Sequence, residues 1–155
     1  MNAIVTDDIH TNESVQRVMA WSGDCIQFGF DPLSDAKIKA QQGKNIFCDD
    51  DLLFTVAKMK TMDLFDPNFK PENADMSKVR YSIKRDEKTK TTTYDVEIPL
   101  TALTSLKVVP GTVFGFNFIA MDSDDARELP KYWMQYSPGI AGGLNPALFK
   151  SFIFK

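Results

Sequence analysis

Cys25-Ile26-Gln27-Phe28-Gly29-Phe30 alternates strictly: Ile26, Phe28 and Phe30 fall on one face of an extended segment, and Cys25, Gln27 and Gly29 on the other. Asp31-Pro32 then stops the run, because proline has no N–H to give a β-ladder. The same period recurs along the chain. Residues 52–60 (LLFTVAKMK) begin apolar on both faces, as a central strand should. Residues 78–85 and 89–98 form a hairpin around Asp86-Glu87-Lys88, with the β-branched Thr91-Thr92-Thr93 feeding its second arm. Residues 112–121 (TVFGFNFIAM) give the strongest strand signal, announced by the Pro110-Gly111 turn. Residues 132–136 and 148–154 complete the set.

Helical signal is scarce. Residues 99–103 fit one short turn with Pro99 at its start, and residues 34–42 fit another. Many short strands divided by turn residues predict an all-β fold, an antiparallel β-sandwich of jelly-roll or immunoglobulin-like kind. No repeat or linker divides the chain, so residues 1–155 read as a single domain.

Composition narrows the chemistry. The 155 residues carry 18 basic and 21 acidic side chains, a net charge of −3, which gives no electrostatic reason to expect nucleic acid or a membrane surface as partner. Apolar runs break within a few residues, so no transmembrane helix fits, and the opening MNAIVTDD has no signal-peptide pattern. With one histidine, His10, and two cysteines, Cys25 and Cys48, zinc and triad chemistry lack raw material. Spacing alone does not establish a Cys25–Cys48 disulfide, and two separate thiols are the plainer reading. Glycoside hydrolysis needs two carboxylates across a cleft, and no pair is singled out here, so no enzyme activity is expected. No spacing of His10 or the seven methionines supports haem ligation either.

Acidic residues gather in the predicted loops: Asp7-Asp8, Asp49-Asp50-Asp51, and Asp122 with Asp124 and Asp125. Hard oxygen donors at this density suit calcium, and Asp49, Asp50, Asp51, Asp122 and Asp124 are the candidate ligands. The alternative for each cluster is a solvated acidic loop.

Taken in order, Val5-Thr6-Asp7-Asp8, Trp21-Ser22-Gly23-Asp24-Cys25-Ile26-Gln27, Asp49-Asp50-Asp51 before a strand, Tyr94-Asp95-Val96-Glu97-Ile98-Pro99, Pro110-Gly111-Thr112-Val113-Phe114-Gly115-Phe116-Asn117, Asp122, Arg127, Trp133 and Asn145-Pro146 resemble the family 9 carbohydrate-binding modules. The resemblance implies a β-sandwich that binds poly- or oligosaccharide without catalysis, commonly attached to a secreted polysaccharide-degrading glycoside hydrolase, hence extracellular or periplasmic. It also implies calcium bracing the loops and two tryptophans sandwiching a terminal sugar. Stacking suits a pyranose, which has apolar C–H faces and a rim of hydroxyls.

Carried over by position, the first tryptophan is Trp21 and the acidic residue after it is Gln27. The family's arginine falls at Thr55 and its glutamine at Ile119. The loop expected to hold the second tryptophan, Gly139-Ile140-Ala141-Gly142-Gly143, has no aromatic, and Trp133 reads as the family's strand tryptophan. Trp21, Gln27 and Tyr136 are therefore the candidate sugar contacts. Arg127 reads as an ion-pair partner of Asp122 or Asp124. The alternative function is a structural or protein-interaction sandwich that has lost its sugar site. Family members carry one or two further strands before the Val-x-Asp-Asp segment, so the N-terminus reads as incomplete. An unpaired edge there predicts a homodimer or strand exchange.

Overall fold

The alternating segments become strands that pair antiparallel throughout in the computed structural model, which describes residues 1–14, 16–43, 47–125 and 132–155. In chain order these are β1 (Asn2–Thr6), β2 (Cys25–Asp31), β3 (Leu52–Lys58), β4 (Asp63–Phe69), β5 (Arg80–Asp86), β6 (Thr91–Glu97), β7 (Val113–Asp122), β8 (Tyr132–Gln135) and β9 (Lys150–Ile153). One α-helix, α1 (Ala36–Gln41), and 3-10 turns at Arg17–Ser22, Leu100–Ala102 and Pro146–Leu148 complete the described elements. The smaller sheet runs β1-β6-β5. The larger runs β4-β3-β2-β7-β8, with β9 pairing the other half of β7. The expected sandwich of two antiparallel sheets is the observed architecture.

Alternation builds the core between the sheets. Ile26 and Phe28 of β2 with Leu52, Phe54 and Val56 of β3 face Ile83 of β5 and Tyr94 and Val96 of β6. Phe28 and Phe65 flank Phe54, each with its ring centroid 5.2 Å away. Burying each such side chain contributes about 1.5–3 kcal/mol. Strand β3 lies between β4 and β2 and is buried on both faces over almost its whole length, as its opening residues predict.

The larger sheet also has a covered outer face. Ala20 and Trp21, on the first 3-10 turn, pack over Cys25, Ala57 and Leu64, while Ile140 and Phe149 pack over Leu53 and Ile119. Phe149 lies directly on β2 because Gly29 has no side chain: a Cβ there would stand 2.8 Å from the ring. Cys25 is buried, and no disulfide joins it to Cys48.

Three elements depart from expectation. Strand β1 pairs with β6 although its five residues carry no long alternation. Strand β4 contains Pro67, tolerated because β4 is an edge strand whose register shifts opposite Leu53 and Phe54. The Arg17–Ser22 turn is short enough to leave no helical period. It carries Trp21.

Candidate functional site

Across the outer face of the larger sheet, strand register draws one transverse row: Asp66 of β4, Thr55 of β3, Gln27 of β2, Ile119 of β7 and Gln135 of β8. Three of these, Gln27, Thr55 and Ile119, are positions that the family resemblance carries over as sugar contacts. The fold brings them side by side.

Above this row opens a cavity of ≈ 450 Å³. Trp21 and Trp133 both line it; Gln27 and Asn68 supply polar groups; Leu53, Phe69, Met121, Ile140 and Leu144 complete most of the wall. Trp21 is half-buried, and Trp133 is 50% exposed on β8 opposite Met121. Sequence reading did not place Trp133 in the site. The available signal was its alternation with Gln135, which puts both on the face of Met121 and Ile119.

Gln27 is only 6% exposed and belongs to a chain of hydrogen bonds with a fixed direction. Gln27 Nε2 donates to Thr55 Oγ1 at 2.8 Å, Thr55 donates to Asn68 Oδ1 at 2.5 Å, and Asn68 Nδ2 donates to Asp66 Oδ2 at 3.0 Å. The Asp66 carboxylate accepts only, so Asn68 turns its N–H₂ toward it. Asn68 Oδ1 is thereby left for the Thr55 hydroxyl, and Thr55 in turn must accept from Gln27. Arg17 Nη2 holds the far end, 3.4 Å from Asp66 Oδ1.

Tyr136 is not part of this cavity. It continues the other face of β8, its N–H donating to Phe118 O at 2.9 Å and its ring 6.0 Å from Phe152. The period of two that turns Trp133 toward Gln27 turns Tyr136 away. Arg127 lies outside the described residues.

The acidic loops assemble in two places. At one, the ligand atoms of Asp31, Asp35 and Asp50 lie within 4.8 Å of one another, and Lys39 Nζ already sits among them, 2.6 Å from Asp50 Oδ1 and 3.0 Å from Asp35 Oδ1. Burial works against this ammonium, but hydrogen bonds to Asp50 and Asp35 hold its pKa above the usual lysine range. Asp51 is buried beside them and accepts the Cys48 N–H at 2.7 Å; burial pushes it up to about 7. Asp49 is exposed and outside this group, since consecutive residues of one turn point in different directions.

At the other place, Asp7, Asp8 and Asp124 lie mutually within 4.8 Å, and so do Asp7, His10 and Asp24. Asp24 Oδ1 accepts the Ser123 N–H at 2.7 Å and Oδ2 accepts the Thr11 N–H. His10 Nε2 is 3.0 Å from the Lys58 carbonyl, which can only accept, so a neutral His10 turns its Nδ1 lone pair toward Asp24 Oδ2, 3.5 Å away. Burial raises Asp24 to about 7 against the pull of its backbone hydrogen bonds, with Asp7 and Asp122 adding to the rise. Burial, then Asp7, Asp124 and Asp8, raises Asp122, whose Oδ1 is buried without a hydrogen-bond partner among the described residues. Of the expected ligands, Asp50 joins the first group and Asp124 the second, with Asp122 beside it.

Solved structures share this fold, among them two of one module. The chain superposes over 99% of its length on a family 9 carbohydrate-binding module from Caldicellulosiruptor kristjanssonii in complex with cellotriose, with a TM-score of 0.73, 17% identity and 67% of that chain covered. The same module in complex with glucose gives a TM-score of 0.73, 17% identity and 69% coverage. The chain thus has the family 9 module fold over about two-thirds of those modules' length. No family model matches the sequence, and no curated protein matches it significantly.

Proposed function

We propose that this chain binds carbohydrate without catalysis, taking a sugar of an oligo- or polysaccharide into the cavity between Trp21 and Trp133. The observation that carries the reading is that both tryptophans line one cavity floored by Gln27. Two indoles offer stacking surfaces to the C–H faces of a pyranose, and the two amides offer hydrogen bonds to its edge. The complexes of the neighbouring modules with cellotriose and glucose support the same reading. Calorimetric or tryptophan-fluorescence titration against a glycan panel, with calcium present, should find saturable binding. Silence toward every glycan would sink the proposal in favour of a structural or protein-interaction domain.

Three further proposals accompany it. A calcium ion at Asp7, Asp8 and Asp124 fits their hard oxygen donors and the unpartnered Asp122 Oδ1, and would tie the end of β1 to the end of β7. The cluster beside α1 already holds the Lys39 ammonium and fits calcium less well. A homodimer through β1 is supported by that strand's bare edge. A place outside the cytoplasm, beside polysaccharide-degrading enzymes, follows from the family likeness alone.

A further inference from the structure

We infer that Asp7, His10 and Asp24 form a site for a zinc-class divalent ion, separate from the calcium proposed at Asp7, Asp8 and Asp124. Asp7 directly follows β1, His10 lies three residues on, and Asp24 directly precedes β2, so the site joins a strand of the smaller sheet to one of the larger. The three donor atoms lie within 4.8 Å of one another. All three residues line a second cavity of ≈ 250 Å³, with Tyr132 and Trp133 in its wall, which leaves room for water at an open coordination position. A single histidine is little raw material for zinc, but two carboxylates complete a set of three ligands. His10 decides the class of ion, because an imidazole nitrogen suits zinc and its transition-metal neighbours, whereas calcium takes oxygen.

The setting of His10 points to an ion independently of the carboxylates. The Lys58 carbonyl, 3.0 Å from Nε2, fixes the proton there, as the outer partner of a ligating imidazole does, and leaves Nδ1 bare. Nδ1 faces Asp24 Oδ2 across 3.5 Å, the two side chains being only 11% and 5% exposed. Two acceptors cannot bond each other, so something positive belongs between them. A shared proton would draw them to about 2.7–2.9 Å. Two ligands of one tetrahedral ion, each about 2.1 Å from it, stand about 3.4 Å apart. The observed separation matches the ion. The carboxylates are also held in place: Asp24 Oδ1 and Oδ2 accept the Ser123 and Thr11 N–H groups, and Asp7 Oδ1 accepts the Ile9 N–H at 3.1 Å. Each of these oxygens keeps a lone pair for a metal. Among the described residues no lysine or arginine pairs with either carboxylate; Lys58 pairs with Asp63, and Arg85 reaches the Asp7 carbonyl instead. The cluster beside α1, by contrast, has Lys39.

The test is titration of the metal-stripped chain, free of any histidine tag, with zinc chloride at about pH 7.5, where an ordinary imidazole is neutral. Calorimetry should show a single saturating equivalent that calcium at the same concentration does not displace. Because the chain has one histidine, its imidazole nitrogen NMR spectrum carries one pair of signals. Zinc should shift Nδ1 and leave Nε2 protonated. His10→Gln keeps an amide donor for the Lys58 carbonyl but loses the imidazole nitrogen. It should weaken zinc by at least about 10–100-fold, the cost of losing even an outer partner. Zinc that binds without moving Nδ1, or that binds His10→Gln as tightly as the parent, overturns the inference. So does displacement by equal calcium, which makes the site one of oxygen ligands alone. Absence of zinc binding overturns it too and puts a proton between His10 and Asp24. The spectrum of the parent decides the matter even if His10→Gln fails to fold.

Discussion

Trp133 and Trp21 reach the same cavity from different supports, so removing each should have a different cost. Trp133 stands 50% exposed on β8, and its indole does little for the sheet. Trp21 packs against the cluster of Ala20, Cys25, Ala57, Met59 and Leu64, so part of its ring is core. Trp133→Ala should weaken glycan binding by about tenfold or more while shifting stability by no more than about 0.5 kcal/mol. Trp21→Ala should weaken binding as much and also cost about 2–4 kcal/mol in urea unfolding. If Trp133→Ala binds as the parent does, stacking on β8 is not part of recognition. That Trp21 sits at the end of a turn could be read from the Ser22-Gly23-Asp24 that follows it. That Trp133 shares its cavity depends on register between β7 and β8, which no local pattern encodes. Gln27 shows the same limit: alternation puts it opposite Phe28, but only the fold sets it beside Thr55 and buries it.

At the level of elements, the sheet edges differ in their protection against pairing with another chain. Strand β5 carries Arg80, Lys84, Arg85 and Asp86, and β4 carries Pro67 and a register shift. Strand β1, Asn-Ala-Ile-Val-Thr, has no charge, proline or bulge. Its ladder to β6 uses the odd residues: Val96 N–H donates to Met1 O and Asp7 N–H to Lys90 O, each at 2.9 Å. The antiparallel pattern therefore turns the N–H and C=O of Asn2, Ile4 and Thr6 away from β6, toward whatever lies beside the edge. Beyond that edge Phe116, Phe118 and Met134 line an open apolar groove with β1. Ile4→Pro removes an outward N–H that β6 does not use, so it should convert a β1-paired dimer to monomer with little loss of stability. Light scattering across a concentration series checks this. A parent that is monomeric at high concentration refutes β1 pairing, and a dimer that survives Ile4→Pro moves the interface elsewhere. Strands β2, β3, β6 and β7 were legible because their apolar residues alternate or run continuously into a buried position. Strand β4 was not, because Asp63, Asp66, Pro67 and Asn68 have the composition of a turn and are held extended only by β3. Strand β1 is too short and too exposed to announce itself.

For the molecule as a whole, its buried carboxyls set how stability responds to pH. Burial lifts Asp24 and Asp51 from the ordinary 3.8 to about 7 and raises Asp31 and Asp122 as well. In the unfolded chain these groups release their protons near the ordinary value; in the folded chain they keep them longer. Between those two values the native state holds more protons, so its stability falls as pH rises, and above the folded values the loss is complete. Lys39 does not reverse this, since its ammonium stays charged throughout that window. The proposed calcium would change the outcome at the Asp7 side, because a divalent cation beside Asp24 and Asp122 would compensate the ionised forms that burial penalises. Thermal unfolding in a chelator should therefore show Tm falling by several degrees from about pH 5 to about pH 8. Added calcium should recover the part of that loss carried by Asp24 at about pH 8 and less at about pH 5, where Asp24 keeps its proton. A Tm that rises with pH in chelator would contradict the raised carboxyls. A falling Tm that calcium fails to restore would leave the carboxyls as described and remove the ion from Asp7, Asp8 and Asp124. Asp124→Asn separates the two contributions further: it should abolish the calcium response while leaving the decline between pH 5 and 8 in chelator, because Asp24 and Asp51 remain buried.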